Sequence, residues 1–188
     1  MPRNRQDIPR DERVSVILDV ALRLFVDRDF DAVTMVDIAR RANIRSGALY
    51  WYFKSKDHVL AAVLRRLGDE EVARLAQFPA DVGPAVRLIC YLTDLRPLRA
   101  LHVAAHARMG GSEVVAAAHD SLIEQVRALT DAAIAGDVRF DRALAVDAVV
   151  AAFEGASIAA DPSRSATDIV RFLLDQLLEA PLDSNSRA

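Results

Sequence analysis

The run Leu49-Tyr50-Trp51-Tyr52-Phe53-Lys54-Ser55-Lys56 sets four aromatic rings side by side and follows them with two lysines. These are the only lysines in the chain, and the rings are four of its eleven aromatics. Tyrosine and tryptophan offer flat apolar faces to thymine methyls and sugars, plus a polar tip for phosphate, and lysine adds a point charge. The stretch therefore suits contact with nucleic acid; the alternative is a set of rings packed in a core beside solvated lysines. A second group is His102 and His106, four apart on one helical face, with His119 on the following helix. Three imidazoles in that pattern could assemble a metal site. Without a cysteine or a Glu-x-x-His partner, they are read instead as polar anchors of an apolar pocket, and no metal or cofactor is assigned. The chain has no G-x-S-x-G elbow, no G-x-x-x-x-G-K phosphate loop and no paired Glu-x-x-His, so catalysis is not expected.

The elements that must hold these residues read as helices throughout. Val14, Ile17, Leu18, Ala21, Leu24 and Phe25 recur on one helical face between Asp11-Glu12 and Asp29. Thr34 and Asp37 form a capping-box pair ahead of a short helix with Met35, Ile38 and Ala39 inward. Asn43 stands where the chain must reverse, a position that asparagine tolerates in the left-handed conformation. The next helix spans about Ser46 to Phe53, with Leu49 and Phe53 on one face and Tyr50, Trp51 and Tyr52 on the others. Ser55 caps a fourth helix that continues through Val59, Leu60, Val63, Leu64 and Leu67 towards Leu75. Beyond Phe78-Pro79, helical patterns cover about 82–95, 97–109, 112–135, 141–160 and 165–179, with Asp161-Pro162 and Ser165-x-x-Asp168 as marked helix starts. The fold class is all-α with about nine helices, and the tail from Asp183 to Ala188 is expected to fray.

The chain has 188 residues, about half of them apolar, and a net charge of −3. That is enough for a sizeable core. The charge is unevenly placed: residues 1–66 carry thirteen Lys/Arg against nine Asp/Glu, and residues 67–188 carry eleven against eighteen. A basic third on an acidic body suggests two jobs. One cysteine, Cys90, excludes an internal disulfide and is read as a buried small hydrophobe. The polar start Met1-Pro2-Arg3-Asn4-Arg5-Gln6-Asp7 has no signal-peptide pattern and every apolar run is cut by charge, so no membrane span and a cytoplasmic location are expected.

Two short helices joined by a tight turn, with outward rings in a basic surround, match a helix-turn-helix whose second helix enters the DNA major groove. The segment TMVDIARRANIRSGALYWYFKSKDHVL, residues 34–60, resembles the DNA-binding segment of the TetR (TetR/AcrR-type) family of transcriptional repressors. With the first helix, the resemblance covers roughly residues 10–60. It implies that Thr34, Tyr50, Tyr52 and Lys56, beside Lys54, hold phosphates, that Arg45, Ser46, Gly47 and Trp51 face base edges, and that Leu49 and Phe53 are core. Asn43 stands where the family usually has glycine, and Arg45 where it has a small hydroxyl residue. Arg45 then either reads guanine bidentately or contacts phosphate.

Two domains are expected, a DNA-binding helix-turn-helix domain over 1–58 and a ligand-binding and dimerisation domain over 59–188. The pocket is assigned to Leu64, Leu67, Phe78, Leu92, Leu95, His102, His106, Met109, His119 and Ile123. Small residues Ala148, Ala151, Ala152, Gly155, Ala156 and Ala159 let helices approach closely, and Ile169, Phe172, Leu173 and Leu177 give the last helix a second apolar side. Pattern and resemblance together point to a homodimer that meets through these two helices as a four-helix bundle; the alternative is a larger monomeric core. The expected function is a ligand-responsive regulator, a repressor that binds a palindromic operator and is released by a small apolar or amphipathic organic effector. The rivals are a helical protein-interaction or metal-responsive module and, behind these, a helical-bundle enzyme.

Overall fold

The computed structural model describes residues 9–95, 98–135, 140–158 and 165–178. Among them the chain is all-helical, with nine α-helices, one 3-10 turn and no strand. The helices are α1 (Arg10–Asp27), α2 (Met35–Arg41), α3 (Ser46–Tyr52), α4 (Lys56–Leu75), α5 (Pro84–Leu95), α6 (Arg99–Met109), α7 (Glu113–Ala133), α8 (Arg142–Ile158) and α9 (Ala166–Leu177). The marked start at Asp161-Pro162, the opening at Pro97 and the two termini lie outside the described residues. No described helix is long and apolar enough to cross a membrane.

The local signals act where the sequence puts them. Thr34 Oγ1 accepts from Asp37 N (3.1 Å), while Asp37 Oδ2 accepts from Thr34 N (3.1 Å), so the start of α2 is doubly satisfied. The hydroxyl of Ser165 and the carboxylate of Asp168 repeat that arrangement at the start of α9. Asn43 has φ 55°, the one non-glycine residue in the left-handed region among those described. It closes α2 as a Schellman turn, in which Ile44 N donates to Ala39 O (3.0 Å) and Asn43 N to Arg40 O (3.2 Å).

Two clusters of buried side chains make the core. The first joins α1 to α4 through Ile17, Phe25, Ile38, Leu49 and Leu60, and also takes in Leu101, Ala104 and Ala105 of α6 and Val115 and Ala118 of α7. The second lies around Tyr91, Leu92, Val126, Val149, Phe153 and Leu174 of α5, α7, α8 and α9, with Leu75 at the end of α4. Helices α4 and α7 lie against each other and contribute to both clusters. Gly68 of α4 is buried against α7; a Cβ there would come within 2.7 Å of Leu122 Cδ2 and 2.9 Å of Gln125 Oε1. Gln125 Oε1 in turn accepts from the hydroxyl of Tyr91 (2.8 Å), satisfying a phenol whose ionisation burial pushes out of reach. Cys90 is half-buried at the edge of the second cluster rather than within it.

Since the turn between α2 and α3 needs a positive φ, Asn43→Val should destabilise the protein by about 1–2 kcal/mol, while Asn43→Gly should stay close to the parent. Urea unfolding midpoints of the two variants check this; equal midpoints would refute it.

Candidate functional site

Helix α3 is held from below and left open above. Leu49 is fully buried and Phe53, just past the helix end, nearly so, which anchors one face in the first cluster. The other face carries Tyr50 at 53% and Trp51 at 87% exposure. Thr34, Arg45, Gly47 and Lys54 are exposed beside them, and Ser46 and Tyr52 are half-buried, Tyr52 packing onto the first cluster. An indole has the largest apolar surface of any side chain, and leaving it in water forgoes its burial. A Cβ added at Gly47 would meet nothing within 4 Å and its φ is not positive, so nothing inside the chain requires glycine there. Arg40 and Arg41 of α2 are also exposed in this region and were not among the expected contacts; Arg40 pairs with Asp37 (2.7 Å).

Lys56 occupies a different environment from Lys54. Its ammonium donates to Phe30 O (2.7 Å) and Val33 O (2.9 Å) and sits 4.2 Å from the centre of the Phe30 ring. Burial lowers its pKa, opposed by the nearby Asp31 carboxylate. Two of its three protons thus tie the loop ahead of α2 to the start of α4, a role the expected phosphate contact did not include.

In the body, α4 to α9 enclose a cavity of about 310 Å³. Of the expected pocket residues, Leu64, Leu67, Leu92, Leu95, His102 and His119 line it. Phe78, His106, Met109 and Ile123 do not: Phe78 and Ile123 pack against the second cluster, and the Phe78 ring lies under the Arg74 and Arg87 guanidinium groups. Leu122 of α7 was missed, and so were Phe153, Ser157 and Thr167, because α8 and α9 turn one side to the cavity. Ala156, assigned to a dimer contact, lines it as well. The remaining residues of that set separate by burial: Ala148, Ala151, Gly155 and Phe172 are exposed, and Ala152, Ile169, Leu173 and Leu177 half-buried. Ala159 lies outside the described residues.

Beside the cavity the three histidines come together, and a carboxylate from α8 joins them. His119 Nε2 is 3.1 Å from His106 Nε2, and Glu154 Oε1 lies 3.3 Å from the latter and 3.5 Å from the former. The His102 ring centre is 4.7 Å from that of His106 and 5.3 Å from that of His119. One ligand atom from each of the four residues fits within 4.8 Å of the others. Burial, helped by the facing His106 and His119 rings, pushes His102 down to about 3, and burial lowers His119 as well, so both imidazoles are neutral at physiological pH. Glu154 was missed as a partner; its signal is that it is the one charge between Ala148 and Ile158 of an otherwise small and apolar helix.

Residues 17–63 match the family model described as bacterial regulatory proteins, tetR family. The chain is similar to the HTH-type transcriptional regulator AcrR of Shigella flexneri, 36% identical over 77 residues, which is 39% of this chain and 36% of that protein. It is also similar to the HTH-type transcriptional activator FasR of Mycolicibacterium smegmatis, 41% identical over 70 residues, covering 37% and 32%. These matches span about a third of either relative's length. A crystal structure of a TetR-like transcriptional regulator from Rhodococcus sp. RHA1 superposes with a TM-score of 0.59 at 25% identity, over 89% of this chain and 94% of the other.

Because Lys56 joins the α2 loop to α4, Lys56→Met should lower the stability of the protein by about 1–3 kcal/mol. The urea midpoint measures it. An unchanged midpoint would mean that the two carbonyl contacts contribute nothing and that the ammonium is free for an outside partner.

Proposed function

We propose that this chain, which belongs to the tetR family of bacterial regulatory proteins, is a homodimeric, cytoplasmic DNA-binding repressor whose operator affinity is set by a small molecule held in its body. It is a regulator, not an enzyme. The observation that carries the reading is Trp51, exposed on a short helix whose opposite face is anchored by Leu49. A helix set this way can lie in a major groove with Trp51, Arg45, Ser46 and Gly47 towards base edges. The open space around Gly47 leaves room for a close backbone approach. Thr34, Tyr50, Tyr52 and Lys54 flank that face as phosphate contacts, with the third proton of Lys56 available beside them.

Residues 1–58 serve as the DNA-binding unit and 59–188 as the sensing and dimerisation unit. A twin would dock on α8 and α9, where Leu144, Ile158 and Phe172 are left 44–69% exposed next to Ala148, Ala151 and Gly155. Small residues between exposed large ones suit close helix packing. Two recognition helices in one dimer must reach successive major grooves, roughly 34–36 Å apart. The apolar lining of the cavity suits an apolar or amphipathic organic effector. An effector at the cavity can act on that spacing through α6, which joins the first cluster by Leu101, Ala104 and Ala105 and binds α4 by the Arg108–Asp57 ion pair (3.0 Å). Repression is the economical reading of these parts, since occupying a promoter needs DNA binding alone, and effector binding shifts the dimer only by its differential affinity for the two states.

The sole tryptophan makes the proposal directly testable. DNA fragments flanking the protein's own gene should change the emission of Trp51 on binding, in parallel with an independent gel-shift assay. Bound DNA with unchanged emission would remove Trp51 from the interface, and no DNA binding at all would remove the function.

For the dimer, Ala152→Glu would bury an unpaired carboxylate between α8 and its twin. Sedimentation should show the variant as a monomer at concentrations where the parent is a dimer. An unchanged dimer mass would put the interface elsewhere.

A further inference from the structure

The group of His102, His106, His119 and Glu154 draws on three helices, and its atoms meet in a way that hydrogen bonding leaves unsatisfied. His106 Nε2, His119 Nε2 and Glu154 Oε1 form a triangle with sides of 3.1, 3.3 and 3.5 Å. A neutral imidazole carries one N–H and one lone pair, so a proton between the two rings serves one edge of that triangle. His102 Nε2 and His119 Nδ1 are meanwhile buried without any hydrogen-bond partner. Orphaned buried nitrogens are costly, and the Nε2 atoms of His106 and His119 converge on the Glu154 carboxylate with a ring nitrogen of His102 within 4.8 Å, an arrangement that calls for a cation.

We infer that these four residues form a binding site for a divalent transition metal of the zinc type, in which His106 Nε2, His119 Nε2 and Glu154 Oε1 supply three ligands and His102 the fourth. Tetrahedral coordination with bonds of about 2.0–2.1 Å puts neighbouring ligand atoms about 3.3–3.4 Å apart, and the observed triangle has nearly those edges. Three imidazoles and one carboxylate select zinc, cobalt, nickel or copper over magnesium and calcium, which take oxygen ligands. Asp120 stands 3.9 Å from His119 Nδ1, where a small rotation lets it accept that N–H and fix the ring, the usual outer partner of a metal-bound histidine. The pair His102 and His106 sits at i, i+4 on α6, the helix whose Arg108 grips Asp57 of α4. A metal there would lock α6 to α7 and α8 at the junction between the body and the DNA-binding unit. This regulatory consequence rests on the proposed function; the binding itself does not.

The probe is Co2+, titrated into the chelator-treated full-length protein and followed by visible absorption. One ion per chain with the intense bands of four-coordinate cobalt is expected, displaced by Zn2+. Glu154→Gln and His106→Gln are the variants, since both side chains are partly exposed and replacing them leaves the buried core intact; circular dichroism confirms their fold. Each should weaken Co2+ binding by more than the about 10–100-fold that loss of an outer partner costs. Absence of binding, six-coordinate weak bands, or equal affinity in parent and both variants would overturn the site. Gel shifts of the metal-free protein run alongside: DNA binding without cobalt binding sinks the metal site and leaves the regulator, and cobalt binding without DNA binding does the reverse.

Discussion

The close packing of α4 on α7 is the constraint on which the rest of this structure depends. Helix α4 starts just after α3 and ends in the second core cluster, while α7 lies beside it and feeds both clusters. A side chain at Gly68 would make the ends of Leu122 and Gln125 shift, and Gln125 is the residue that holds the buried Tyr91 hydroxyl. A close-packed interior yields little, so a shift of one helix is passed to its neighbour rather than absorbed. The N-terminal helices are therefore joined to the body by a shared cluster that includes Leu60, Leu101 and Val115.

Helix α6 is the second connection, and it is of a different kind. It contributes Leu101, Ala104 and Ala105 to the first cluster, and an ion pair with Asp57 through Arg108. Exposed pairs of this type hold weakly, by about 0–1 kcal/mol. The same helix carries two of the three clustered histidines. Helix α6 thus joins both parts of the chain through its buried face and its polar groups.

The exposed face of α3 shows the opposite economy. Nothing on α3 beyond Leu49 and the neighbouring Phe53 is spent on deep burial, and the indole of Trp51 is left in water. Lys56, which by composition looks equivalent to Lys54, instead clamps two carbonyls of the preceding loop. Lys56 ties the loop ahead of α2 to α4 while Lys54 is exposed, a division invisible in a count of basic residues.

What the sequence by itself determined is what short-range physics governs. The capping boxes at Thr34 and Ser165, the reversal at Asn43, the cap at Ser55 and the inward pair Leu49 and Phe53 depend on neighbours three or four residues away, so residue type and spacing suffice to read them. The tertiary structure alone decided the rest. The carbonyls that hold Lys56 come from 26 and 23 residues earlier, so no local pattern announces them. Leu64, Leu67, Leu92 and Leu95 of the pocket were legible from apolar spacing on α4 and α5, but Phe78 and Ile123 pack against the second cluster, and Phe153 and Thr167 reach the cavity only through the way α8 and α9 pack beside it. Glu154 joins the histidines for the same reason: i, i+4 spacing puts two imidazoles on one face, but which side chain of a distant helix arrives opposite them is set by how whole helices pack.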